Sequence, residues 1–278
     1  MNPVVKNSLI ATSVLATVYI FNLALPQNLS YAIAASTVLI LVLGKFVFSI
    51  DFKFSSIKEN IQFLVMPILF NMGALAYVSF INVSYGRFMV AILAILVNYY
   101  MFVALRRVKN LGERASIFYR NVLIAISFVT IFLTTSMLFR IYMIASTSPY
   151  MVLFQLALVG LVFTLVYYVS YFLAWENGGG NVKFHSYNLV NALIAAEIAW
   201  VSTIWIVNYP VLSISEKATL SGTPLPAITI TIIFYFLWGI ISHKLDKSLS
   251  RKILTEYMLL TIVFLGVLLI TAKWLPIS

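Results

Sequence analysis

Again and again along this chain the sequence runs apolar for about twenty residues, then breaks at a cluster of Pro, Gly, Asn or Ser. Twenty helical residues at roughly 1.5 Å each reach about 30 Å, the thickness of a bilayer's hydrocarbon. Inside hydrocarbon no water can satisfy a backbone N–H or C=O, so only helices and closed barrels cross it. A barrel would alternate apolar and polar residues over segments of about ten. Here the runs are apolar all round, as in Ile124-Ala125-Ile126-Ser127-Phe128-Val129. A soluble core is excluded by composition: 62% of the 278 residues are hydrophobic and 9% are charged, against about 25% charged in soluble domains. The fold class is therefore an all-α polytopic membrane protein.

Nine transmembrane helices are predicted, at 8–25, 30–50, 61–83, 88–105, 121–139, 150–174, 188–208, 226–242 and 254–272. Pro26-Gln27-Asn28, Ser84-Tyr85-Gly86-Arg87, Ser146-Thr147-Ser148-Pro149, Asn177-Gly178-Gly179-Gly180 and Ser221-Gly222-Thr223-Pro224 mark breaks between them. The loops are short, so residues 1–278 read as one membrane-embedded helical bundle without a soluble domain. Net charge is +10. With the amino terminus placed in the cytoplasm, only Arg87, Arg140, Lys217 and Lys273 of the 18 Lys and Arg fall outside, and the carboxyl terminus lies outside. This bias accounts for the basic balance without nucleic acid, and the expected location is a cell membrane, the cytoplasmic membrane of a prokaryote.

Glu197 is the one acidic residue deep within a membrane-length segment. A charge at the bilayer centre costs roughly 2.5 to 3.5 kcal/mol or more, so it is expected to face protein or water. Its own helix offers Leu193, Ile194, Trp200 and Val201 one turn away, none of which can pair with it, so its partner must come from another helix. Asn71, Asn98, Ser127, Thr130, Thr134 and Thr164 are predicted at similar depth. In the functional reading Glu197 couples a proton or cation, while Asn71, Asn98, Thr130 and Thr134 form a polar lining. In the structural reading the same groups only hydrogen-bond helices together. Pro67, four residues before Asn71, withdraws a donor from the Phe63 carbonyl and predicts a kink.

Arg106, Arg107, Lys109 and Arg114 form a basic loop suited to anionic phospholipids or a membrane-protein partner, although fixing topology is the simpler explanation. Arg87 and Arg140 stand at predicted span ends on the outer face, where each could hold an anion or snorkel to head groups. Tyr167, Tyr168, Tyr171 and Trp175 read as an interfacial aromatic belt, and Trp200 and Trp205 as walls beside Glu197.

Several chemistries lack their residues. There is no cysteine, and His185 and His243 lie in separate predicted loops, so neither a metal centre nor another cofactor is called for. No His-Glu-x-x-His helix exists. Asp51 and Asp246, the only aspartates, are far apart, which disfavours magnesium-dependent lipid transferases. The leading expectation is a small permease or channel-like protein. Two alternatives accompany it: an accessory subunit binding other membrane proteins, and a lipid-linked transferase using Arg87 and Arg140 at the outer face. A transporter needs a wet path to Glu197; an accessory subunit needs a dry core and an exposed polar or small-residue face.

Overall fold

The computed structural model describes residues 3–50, 54–81, 84–111, 117–145, 149–176, 182–208, 224–245 and 247–271. Among these residues the regular structure is helical. The long helices are α1 (Pro3–Ala24), α2 (Leu29–Phe48), α3 (Phe54–Phe80), α4 (Ser84–Leu111), α5 (Ile117–Ala145), α6 (Met151–Glu176), α7 (Val182–Asn208), α8 (Leu225–Leu245) and α9 (Arg251–Thr271), with a 3-10 turn at Pro26–Asn28. Among the described residues, eight of them, α1 to α8, are long and apolar enough to cross a membrane.

Prolines set several ends. Pro3 opens α1, where a missing N–H costs nothing. Pro26 forces Leu25 out of helical geometry and ends α1. Pro226 lies in the first turn of α8. Most helices extend further than the apolar pattern predicts, and three of these extensions take in residues expected at loops or span ends. α4 runs to Leu111, so Arg106, Arg107 and Lys109 are helical rather than in a loop. α5 runs from Ile117 to Ala145, so Arg140 is inside a helix and not at its end. α7 starts at Val182 and takes in His185. Polar residues mark where hydrocarbon stops, but Lys, Arg and Asn can continue a helix for a turn or more beyond it.

The chain groups into two compact units, Met1–Thr134 with Phe172–Gly179, and Thr135–Tyr171 with Gly180–Ser278. In the first, α1 packs on α2 and α4, α2 on α3, and α3 on α4. Small residues allow the closest approaches. A Cβ on Gly44 would stand 2.5 Å from Leu64 Cδ2, and one on Gly73 would stand 2.7 Å from the backbone nitrogen of Thr134. The second approach is backbone to backbone, the geometry glycine permits in membrane helices. Phe48 fills the space between Phe63 and Phe102, with ring centroids 6.2 and 6.0 Å away.

In the second unit, α8 packs on α7 and α9. Gly239 lets the Tyr257 ring lie directly on α8, between Tyr235 and His243. The turn between α8 and α9 is tied at both ends. Ser248 N–H donates to the His243 carbonyl at 2.9 Å and Lys247 N–H to the Lys244 carbonyl at 3.3 Å, a Schellman closure. Ser250 Oγ then accepts from Ile253 N–H at 3.3 Å as the cap of α9. The closure holds Lys247 at φ 55°, a left-handed conformation that suits glycine. Lys247→Gly is expected to stabilise the protein by about 0.5 to 1 kcal/mol, read as a raised unfolding midpoint.

Candidate functional site

Asn71 on α3 and Asn98 on α4 pair their amides reciprocally. Asn71 Nδ2 donates to Asn98 Oδ1 at 2.8 Å, and Asn98 Nδ2 donates to Asn71 Oδ1 at 3.0 Å. Each amide's other hydrogen goes to its own helix, Asn71 to the Pro67 carbonyl at 2.8 Å and Asn98 to the Ala94 carbonyl at 2.9 Å. Tyr19 Oη on α1 completes the set by donating to Asn71 Oδ1 at 2.9 Å. All three side chains are buried, and every amide hydrogen has an acceptor. A second node follows one turn away: Asn22 Nδ2 donates to the Leu75 carbonyl at 3.0 Å, and Ser79 Oγ donates to Asn22 Oδ1 at 3.0 Å. Together these clip α1 to α3 and α4, from the middle of α3 and α4 to the final turns of α1 and α3.

Three hydroxyls of α5 are likewise occupied. Ser127 and Thr130 donate to the carbonyls of Leu123 and Ile126 on their own helix, both at 2.8 Å. Thr134 Oγ1 crosses to the Leu69 carbonyl on α3 at 3.1 Å. Thr164, expected in a buried network, is instead exposed and bonded to the Gly160 carbonyl. α3 continues through Pro67, and the Pro67 carbonyl takes the Asn71 side chain as a donor.

Glu197 departs from expectation. It belongs to the second unit and is exposed; among the described residues none hydrogen-bonds or ion-pairs with it. The cause is the packing seam of α7. Ala192, Ala195, Ala196 and Ala199 are buried, together with Asn188, Asn191 and Thr203. Residues two apart on a helix sit about 200° from each other, so Glu197, two from both Ala195 and Ala199, must point away from that seam. It shares its outer face with Leu193, Trp200, Val201 and Ile204, all exposed. In the 20-residue span His185–Ile204 it lies about 4 Å from the middle. Trp200 is thus on the outer face beside Glu197; the Trp205 side chain lies outside the described residues.

The basic cluster has an internal task. Arg106 Nη1 donates to the Phe46 carbonyl at 3.1 Å and Lys109 Nζ to the Phe48 carbonyl at 2.5 Å, with Asn7 Nδ2 also on Phe46 at 3.1 Å. These carbonyls end α2, where the helix has no further N–H to offer and its dipole favours cations. Lys109 also stands 5.8 Å over the Phe63 ring. Arg107 is half-buried, and Arg114 lies outside the described residues. Arg87 Nε donates to the Ile81 carbonyl just beyond α3. Arg140 is 2% exposed on α5, so it neither snorkels nor presents an anion site on an outer surface.

The second unit holds polar contacts that sequence reasoning passed over. Gln155 Nε2 on α6 donates to Thr203 Oγ1 on α7 at 2.6 Å. His185 Nδ1 stands 3.2 Å from Tyr167 Oη, and its ring stacks on Tyr171 at 5.7 Å. Two members of the expected aromatic belt thus pack against α7; Trp175's side chain lies outside the described residues. Tyr19 and Asn22 were missed in the first unit. Their spacing of three is the signal that marks a shared polar face.

Helices of membrane length, small-residue crossings and polar groups buried between spans define a polytopic helical membrane protein. The chain matches no protein-family model, no curated protein and no solved structure.

Proposed function

We propose that this protein is an accessory or structural subunit that holds another membrane protein against the outer face of α7. The observation that carries this reading is Glu197, exposed near mid-bilayer on an apolar face and unpaired among the described residues. A carboxylate facing lipid there is costly, and a protein partner removes that cost. The permease reading draws less support. Its lining amides, Asn71 and Asn98, have both hydrogens bound within the fold. The charge bias favours an amino terminus in the cytoplasm and residence in a cell membrane.

The chain has no cysteine, so single-cysteine variants can carry a benzophenone photocrosslinker. In the protein's own membrane, Leu193→Cys and Ile204→Cys are expected to give a discrete protein adduct. Leu93→Cys and Leu96→Cys, on the exposed face of α4, are expected to give lipid adducts. Lipid adducts from all four positions would remove the docking reading. Proton flux in vesicles that Glu197→Gln abolishes would restore the permease.

A further inference from the structure

Resting on that docking reading, we propose that the occupant of the α7 face is a transmembrane helix of a different protein carrying a Lys or Arg at mid-bilayer depth. Glu197 presents a carboxylate about 4 Å from the middle of its span, too deep for a lipid head group to meet. One turn along the same face, Trp200 exposes its ring, 43% accessible. A cation approaching Glu197 therefore meets a carboxylate and an aromatic face together, and in a desolvated setting the two reinforce each other. Leu193, Val201 and Ile204 stand at −4, +4 and +7 from Glu197, the spacing of one helix docking along another.

A second copy of this chain fits the face poorly. A two-fold contact would bring Glu197 against Glu197, with no cation between them. The other described cations near the spans, including Lys6, Lys45, Arg106, Lys109 and Lys244, sit within the first or last two turns of their helices. Arg140 lies deeper, but it is buried. The chain thus offers no exposed cation at the matching depth among its described residues.

The test uses the full chain with Val201→Cys, its one cysteine, in phosphatidylcholine vesicles. The probes are two synthetic Leu–Ala helices of about 22 residues, one with a single central Lys and one with Leu in its place. Each probe carries one cysteine a turn from the centre, and mixed disulfide is measured under oxidant. The Lys helix is expected to crosslink about tenfold more than the Leu helix, or about 1.4 kcal/mol, and Glu197→Gln is expected to erase the difference. Circular dichroism and gel filtration check that both variants are folded. Equal crosslinking of the two probes, or an excess that survives Glu197→Gln, overturns the cation while leaving α7 as a docking face for apolar helices. Glu197-dependent disulfide between two copies of the chain, formed without probe, overturns the foreign helix in favour of self-association. No crosslinking to either probe overturns the proposal, and lipid-only adducts from Leu193→Cys and Ile204→Cys in the protein's own membrane would separately remove the docking reading beneath it.

Discussion

Asn71→Leu is expected to destabilise the protein by about 3 kcal/mol, a large loss for a substitution that makes a membrane helix more apolar. The side chain takes part in three bonds to other helices, two with Asn98 and one with Tyr19. Removing it leaves the Asn98 amide and the Tyr19 hydroxyl buried without those partners, and an unsatisfied buried polar group costs about 1 to 3 kcal/mol. Interhelical hydrogen bonds measured in membranes average about 0.6 kcal/mol and reach about 1.7, which sets the lower end of the expectation. The decisive comparison is Asn71→Leu with Asn98→Leu. The double variant is expected to cost clearly less than the two single losses added together, because the second substitution removes a group that the first had already orphaned. Denaturant titration of the three variants in micelles reads this directly. Strict additivity would mean that the two amides do not act as a pair.

Gly73→Ala is expected to cost about 2 kcal/mol, and Gly73→Val more. In an ordinary helix the alanine would gain about 0.5 to 1 kcal/mol. At Gly73, however, the added Cβ would lie 2.7 Å from Thr134 N and 2.8 Å from the Leu133 carbonyl carbon. Those are backbone atoms, which cannot rotate aside, so α3 and α5 must separate. The Thr134 bond to Leu69 on the same crossing would be strained with them. Gly160 provides the control. Nothing lies within 4 Å of a Cβ built there, so Gly160→Ala is expected to be neutral or to stabilise by up to about 1 kcal/mol. Unfolding midpoints of opposite sign at the two glycines would verify the crossing; a neutral Gly73→Ala would show that the helices pass at a greater distance.

Much of the architecture is legible in the sequence because lipid imposes a single rule: backbone groups must bond within their own segment, and about twenty residues are needed to do so across hydrocarbon. Asn71 and Asn98 announce burial by their depth. Their pairing with Tyr19 does not, since a tyrosine in a membrane span serves equally well as an interfacial anchor. Glu197 is the instructive failure. Hydrophobicity distinguishes membrane from water, but it cannot tell the lipid side of a helix from the protein side, because both are apolar. Small residues can, and the alanines at 192, 195, 196 and 199 already mark the packed side of α7. On α7 these alanines outrank the rule that charges face inward, and they turn Glu197 outward. Arg106 and Lys109 show a different limit. Their charge fits a topology signal, while their acceptors lie about sixty positions earlier in the chain, beyond any local pattern.

That separation bears on how the protein is made. α2 emerges from the ribosome well before the side chains that finish its last turn, with 60 residues between Phe46 and Arg106. At about 5 to 20 residues per second the delay is roughly 3 to 12 s. Through that interval Asn7 of α1 can hold the Phe46 carbonyl, while water at the bilayer surface must solvate the Phe48 carbonyl. Only when the far end of α4 is synthesised does the last turn of α2 gain its two cations, so its closure waits on a helix made two spans later.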